Sequence, residues 1–160
     1  MITNLTKTST LWISFILVVL LTILFQVIAA QYNLVLLDGI SDPQTAREII
    51  ATMTAQQRSV HVWVTSTLDV AYPITYGIFF AGTALKLYPA NGKYLAWPAL
   101  ICVPIDLLEG VIQVFALTAA VDWIQMKAIL TPLKFLLVLT ALFITLYGFT
   151  KVRILRREML

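Results

Sequence analysis

Asp69, Asp106, Glu109 and Lys134 all stand inside long apolar stretches of this chain. A charge near the centre of a bilayer costs at least ~2.5–3.5 kcal/mol on insertion scales, so four such groups point to a polar site in an apolar interior. His61, Thr65, Asp69, Tyr72 and Tyr76 succeed one another at steps of four, four, three and four. That spacing places all five on one face of a helix. Asp106, Glu109 and Gln113 repeat at three and four on a later segment, and Gln26 is the matching polar residue on the first. Clustered carboxyl groups in an apolar interior can share protons, a protonated Asp69 or Glu109 serving as general acid and an ionised neighbour as base. Tyr72 and Tyr76 would line the pocket, orient the acid, or stabilise developing positive charge through their ring faces. Isomerisation or cyclisation of a lipid or isoprenoid-like substrate fits this set, because neither needs a metal or a nucleotide.

Each of these residues also has a purely structural reading. Gln26, Thr65 and Gln113 are the residue types that hold membrane helices together by hydrogen bonds. His61 reads as an interfacial residue, and Lys134 as a partner for a carboxylate or a side chain that snorkels outward. The carboxylates are different, since neutral amides would hold helices at lower desolvation cost. Their replacement by amides is therefore expected to leave stability unchanged or raised. No nucleophile–histidine pair, phosphate loop or zinc spacing is present, which argues against hydrolase, kinase and protease chemistry and implies no metal and no cofactor.

The elements that must position these groups follow from composition. Sixty per cent of the residues are apolar and only 12% are charged, against ~25% charged in a soluble domain. The mean hydropathy is +0.90. A single membrane domain, 1–160, accounts for this. Four apolar segments near the ~20 residues needed to span a bilayer are predicted at 11–30, 60–88, 94–121 and 128–149, followed by a basic cytoplasmic tail at 150–160. The first is too long for a signal-peptide core and reads as a retained helix. Pro89-Ala90-Asn91-Gly92 and the stretch Asp122–Lys127 are short links, and short links force antiparallel neighbours. The fold class is thus all-α, an integral membrane up-down four-helix bundle. Pro73 lies four residues after Asp69 and removes the donor that would pair with its carbonyl.

Between the first two spans, Pro43 after Ser41 or Asp42 starts an extra amphipathic surface helix over 43–58. Ala46, Ile49, Ile50 and Met53 form its apolar stripe. It serves as a linker or as a lid over the bundle. If both termini share a side, that side carries Lys7, Lys86, Lys93, Lys151, Arg153, Arg156 and Arg157 against Arg47, Arg58, Lys127 and Lys134 opposite. The positive-inside bias then places both termini in the cytoplasm, the protein being integral to the cytoplasmic (inner) membrane. Trp12 and Trp97 fall near the inner interface, Trp63 and Trp123 near the outer. At ~1.5 Å per residue, Asp69, Asp106, Glu109 and Lys134 fall roughly 9 to 22 Å from the outer helix ends, in one layer from mid-membrane outward.

The run Asp69-x-x-Tyr72-Pro73-x-x-Tyr76-Gly77, then Asp106-x-x-Glu109, with Leu37-Asp38 ahead of the surface helix, resembles a family of small, uncharacterised bacterial four-helix integral membrane proteins. The resemblance covers about 33–148 and implies the four-helix architecture without an activity. In the family pattern an asparagine follows the glutamate, where this chain has Gly110.

Two readings from other classes compete with the enzyme. Intramembrane acids and proline-interrupted helices also line proton or cation pathways. With four helices such a transporter or channel needs a homo-oligomer, for which Gly77 and Ala81 offer small-x-x-x-small spacing. An accessory membrane protein that only packs against a partner is the other. The partners implied are a membrane lipid or apolar small molecule, and no nucleic acid, since no broad basic patch interleaved with aromatics exists.

Overall fold

The computed structural model describes residues 2–158, and side chains over 4–152. Every regular element among the described residues is helical. We number the five longer helices α1 (Thr8–Tyr32), α2 (Pro43–Thr52), α3 (Ala55–Leu87), α4 (Trp97–Leu117) and α5 (Lys127–Glu158). Four stretches, Thr8–Tyr32, Ala55–Leu87, Gly92–Leu117 and Ile124–Val152, are long and apolar enough to cross a membrane. They correspond to the four predicted segments, with ends displaced by a few residues. Helix α5 continues to Glu158, so the backbone of the predicted basic tail is helical up to that residue.

The surface helix expected over 43–58 is two pieces. Asp42 opens α2 by accepting from the Thr45 amide at 2.7 Å and the Thr45 hydroxyl at 2.6 Å, with Pro43 in the first turn. These bonds hold the Asp42 carboxyl below its usual range. The stabilisation is present above that range and is lost as pH falls through the lowered value. Helix α2 ends at Thr52, where Met53 turns extended. Thr54 and Gln57 then form a reciprocal capping box that starts α3 at Ala55. Residues 55–58 are good helix formers in either helix, and only the capping bonds decide which one owns them. Ala46 and Ile50 of α2 join Leu37, Leu117 and Ile124 in a buried cluster. The short helix therefore covers one end of α4.

Helix α3 is the hub, packing against α1, α4 and α5, while α4 packs against α5. Thr8 meets Lys86 at one end of the α1–α3 pair and Thr22 meets Tyr72 further along, so these helices run antiparallel. Tyr76 meets Asp106 while Gly110 lies beside Asp69, so α3 and α4 also run antiparallel. Away from the polar layer, Ala81, Ala84, Ala96, Ala99 and Ala141 form a second buried cluster. Small side chains there let α3, α4 and α5 approach closely. A Cβ on Gly77 would lie 2.5 Å from Val103 Cγ2. Gly77 and Ala81 are thus consumed by packing within the chain, and their spacing offers no face to a second copy.

Gly92 holds the corner between α3 and α4. A Cβ there would lie 2.8 Å from both the Ala84 carbonyl oxygen and Leu85 Cα, which are backbone atoms without freedom to withdraw. Gly92→Ala should cost about 1–3 kcal/mol by overpacking, read as a lowered melting temperature in detergent. Gly39→Ala, with nothing within 4 Å of the added carbon, is the control and should melt with the parent. Equal melting of all three proteins would mean that the corner yields without cost.

Candidate functional site

Glu109 is fully buried on α4 and is gripped from three directions by α5. Lys127 pairs with Glu109 Oε1, Thr131 donates to the same oxygen at 2.5 Å, and Lys134 Nζ lies 2.7 Å from Oε2. These residues come from successive turns of α5, because 127, 131 and 134 recur at four and three. Lys134 Nζ also lies 2.9 Å from Asp106 Oδ1, one turn along α4. Asp106 Oδ2 in turn accepts from the Tyr76 hydroxyl at 2.8 Å. Cys102 sits beneath, 3.2 Å from the Tyr76 oxygen and 3.5 Å from the Lys134 carbonyl. One lysine thus bridges two carboxylates, and the tyrosine fixes the far oxygen of one of them.

A segment outside the long helices completes the site. The chain from Leu34 to Gly39 folds back against the helices, leaving Leu37 fully buried. Leu37 donates its amide to His61 Nε2 at 3.3 Å. His61 Nδ1 lies 3.2 Å from Thr65 Oγ1. The first bond needs an unprotonated Nε2, so the proton of a neutral imidazole sits on Nδ1 and points at the threonine. Asp38 is thereby aimed inward. Its Oδ1 accepts from Gln113 Nε2 at 3.0 Å and lies 4.0 Å from Lys134 Nζ. Asp38 also faces Asp69.

Some of these groups border a cavity of about 420 Å³. Its polar side is made by Asp38, Asp69, Asp106, Lys134 and the Tyr72 and Tyr76 hydroxyls. Its apolar side is made chiefly by Phe25 of α1 and Phe135 and Val138 of α5. Helix α1 packs on α3 and forms no comparable interface with α5, so the cavity lies along the seam between α1 and α5. Tyr72 stands edge-on to both Phe25 and Tyr76, with ring centroids 5.6 and 5.5 Å apart. Asp69 borders a second cavity of about 270 Å³ on the α4 side, beside Gly110. An added Cβ on Gly110 would lie 3.5 Å from Asp69 Oδ2. The glycine therefore leaves one face of that carboxyl open.

The predicted residues divide into two sets. Asp69, Asp106, Tyr72, Tyr76, Lys134 and Gln26 line the larger cavity, although Gln26 stands on its exposed rim. Glu109 and Gln113 are fully buried and do not line it; they hold Lys134 and Asp38 in place. Lys134 pairs inward and does not snorkel. His61, expected at an interface, is fully buried as the anchor of the Leu37 amide. Asp38, Lys127 and Thr131 are the site residues that sequence reasoning did not assign. Asp38 belonged to the Leu37-Asp38 signature, but its partner Gln113 lies 75 residues away. Lys127 looked like an interfacial charge at a helix start, whereas its ammonium group is fully buried. The four-and-three spacing of Lys127, Thr131 and Lys134 was the available signal. No three His, Cys, Asp or Glu side chains among the described residues are placed so that they could hold a metal ion.

No family model matches the chain, and no curated protein or solved structure matches it.

The ion-pair geometry reverses one expectation for the amides. Glu109→Gln leaves Lys127 buried beside a neutral group, and breaking a buried pair from one side costs about 3–5 kcal/mol. Asp69→Asn removes no lysine contact and should change the melting temperature little. Adding Lys127→Met to Glu109→Gln should restore much of the loss, because both charges then leave together. A Glu109→Gln protein as stable as the parent would show that the Lys127 pair contributes nothing to the fold.

Proposed function

We propose that this chain is an integral membrane protein of four spanning helices in up-down order, and an intramembrane acid–base enzyme for a lipid or isoprenoid-like substrate. Several features support the membrane setting. Large apolar side chains stay exposed along α1, α4 and α5, including Phe135 at 46%, Leu136 at 63% and Phe143 at 70%. A protein surface of this kind is at home in hydrocarbon and not in water. Trp12, Trp63, Trp97 and Trp123 all face outward, as an interfacial belt requires. With both termini on the cytoplasmic side, the Asp69 layer lies toward the outer leaflet. A membrane-impermeant maleimide should label Gln56→Cys in intact cells and Lys93→Cys only after lysis. Cys102 is buried and adds little background. The opposite pattern would invert the proposed orientation.

The observation that carries the enzymatic reading is the cavity with apolar walls and an acidic floor. Asp106 and Glu109 each contact Lys134, whereas Asp69 has no lysine within ion-pairing distance. Asp69 is therefore the carboxyl suited to carry a proton and Asp106 the one suited to accept it. In this scheme Asp69 delivers a proton to one carbon of a substrate double bond, leaving a cation at its neighbour. The Tyr72 and Tyr76 rings and the acidic floor stabilise that cation. Asp106 then removes a proton from a carbon adjacent to the cation, shifting the double bond. In a cyclisation a second double bond of the substrate first attacks the cation to form the ring bond, and Asp106 takes the proton next to the new cation. The proton held by Asp106 returns to Asp69 before the next turnover. One proton is added and one is removed, so the substrate composition is unchanged. Glu109 keeps Lys134 in place, and Tyr76 orients Asp106.

A cationic amphiphile should mimic the charged intermediate. N,N-dimethyldodecylamine is expected to raise the melting temperature of the wild type more than dodecanol does, and the difference should vanish in Asp69→Asn. Once a turnover assay with isoprenoid lipids in vesicles is established, Asp69→Asn should fall about 10²–10⁴-fold, the usual worth of a general acid. Indifference of the cavity to the amine, together with full turnover by Asp69→Asn, would remove the acid role.

A further inference from the structure

A second groove lies at the opposite end of α1 from the acidic cavity, on the side that carries both termini. Its volume is about 300 Å³, and its lining is apolar apart from Thr8, Thr83 and Lys86. We propose that it is a binding site for an anionic glycerophospholipid. The proposal rests on the membrane insertion proposed above and is independent of the acid–base chemistry.

The polar end of the groove is suited to a phosphate. Helix α1 is 25 residues long and has no side-chain cap at its N-terminus, where the residue before Thr8 is Lys7. Uncapped amide groups and the positive end of the helix dipole favour an anion there. Lys86 of α3 reaches the same point and donates to the Thr8 hydroxyl at 2.7 Å. Both Lys7 and Lys86 are exposed and make no ion pair with a carboxylate among the described residues. No carboxylate among the described residues neutralises them, which suits an anion at this end of the groove.

Below this end the groove changes character in the order that a glycerophospholipid does. Thr83 lies three residues before Lys86, is 1% exposed, and its hydroxyl has no partner in the protein. Thr67 and Thr75 of the same helix bond the carbonyl four residues back, as threonines in apolar helices do. Thr83 leaves that bond unmade at the groove wall; its oxygen is covered by the lining, so a shift of that lining on binding brings it to an ester carbonyl one turn below the phosphate. Phe15, Phe79 and Phe149 form the apolar floor beyond, which suits an acyl chain. A free phosphate ion would use only the top of this groove.

The test uses the full chain in detergent, with phosphatidylglycerol, phosphatidylcholine and inorganic phosphate as probes, read by native mass spectrometry and thermal shift. One phosphatidylglycerol should bind in preference to phosphatidylcholine, and inorganic phosphate should not displace it. Lys86→Gln should weaken phosphatidylglycerol binding about fivefold or more, while Lys86→Arg retains it. Thr83→Val, nearly the same shape, should weaken both lipids and leave the fold intact. Lys93→Gln, on the same side and outside the groove, should change nothing. Equal binding of the two lipids, displacement by inorganic phosphate, or an unchanged Lys86→Gln would each overturn the site. So would an equal loss in Lys93→Gln, which would indicate a diffuse basic surface. Extraction of the protein from membranes by alkaline carbonate would instead overturn the membrane insertion on which the proposal stands.

Discussion

The buried bridge from α5 to α4, in which Lys127 and Lys134 meet Glu109 and Asp106, is the constraint on which the rest of the site depends. In an apolar interior a charge without a partner is not tolerated, so these four side chains must find one another for the helices to dock. Lys127 and Glu109 are fully buried, and Lys134 and Asp106 are nearly so. The bridge fixes the rotation of α5 about its axis, since residues 127, 131 and 134 must all face α4. It also fixes the relative height of the two helices to within one turn. Hydrophobic contact alone would specify neither, because Leu, Ile and Phe side chains are interchangeable against one another over many registers. The same bridge places the Lys134 ammonium beside the cavity, where it sets which carboxyl groups are paired and which, among the described residues, is left without an ion pair.

From that anchor the remaining polar groups fall into place by short steps. Tyr76 reaches Asp106 across the α3–α4 contact, which the small side chains of Gly77 and Ala99 permit. The connecting segment around Leu37 is pinned by His61, and Asp38 is carried into the polar layer as a consequence. Helix α1 is the least constrained of the four long helices. It contributes few polar contacts, packs mainly on α3, and leaves a seam toward α5. The proposed reaction and the proposed lipid site both use that seam's two ends. In the proposed reaction this seam would admit an amphiphile from the side, while the α3–α4–α5 contacts keep the ion pairs covered.

How much of this was legible in the sequence follows from the range of each interaction. The four long helices were legible, because crossing length and apolar content are local properties that need no partner. The common face of His61, Thr65, Asp69, Tyr72 and Tyr76 was legible too, since helical periodicity projects directly into space. The break at Met53 was less so. Ala46 to Arg58 carries no strong helix breaker, and the capping box between Thr54 and Gln57 competes with continuation by only a few hydrogen bonds. The small-residue spacing of Gly77 and Ala81 was visible but ambiguous, because the same pattern serves contact within a chain or between chains.

The sequence by itself determined that apolar helices would enclose carboxylates, a lysine and tyrosines, because each helix face is written in its own residues. It did not determine which charge meets which. Asp38 with Gln113, Lys127 with Glu109 and Lys134 with Asp106 are contacts between residues distant in the chain, set by how two helices rotate and slide when they pack. Only the tertiary structure made Glu109 a buried node and Asp69 the carboxyl without a lysine beside the cavity. The reason is physical: a buried charge is satisfied by the nearest opposite charge in space, and proximity in space is a product of packing that no local pattern encodes.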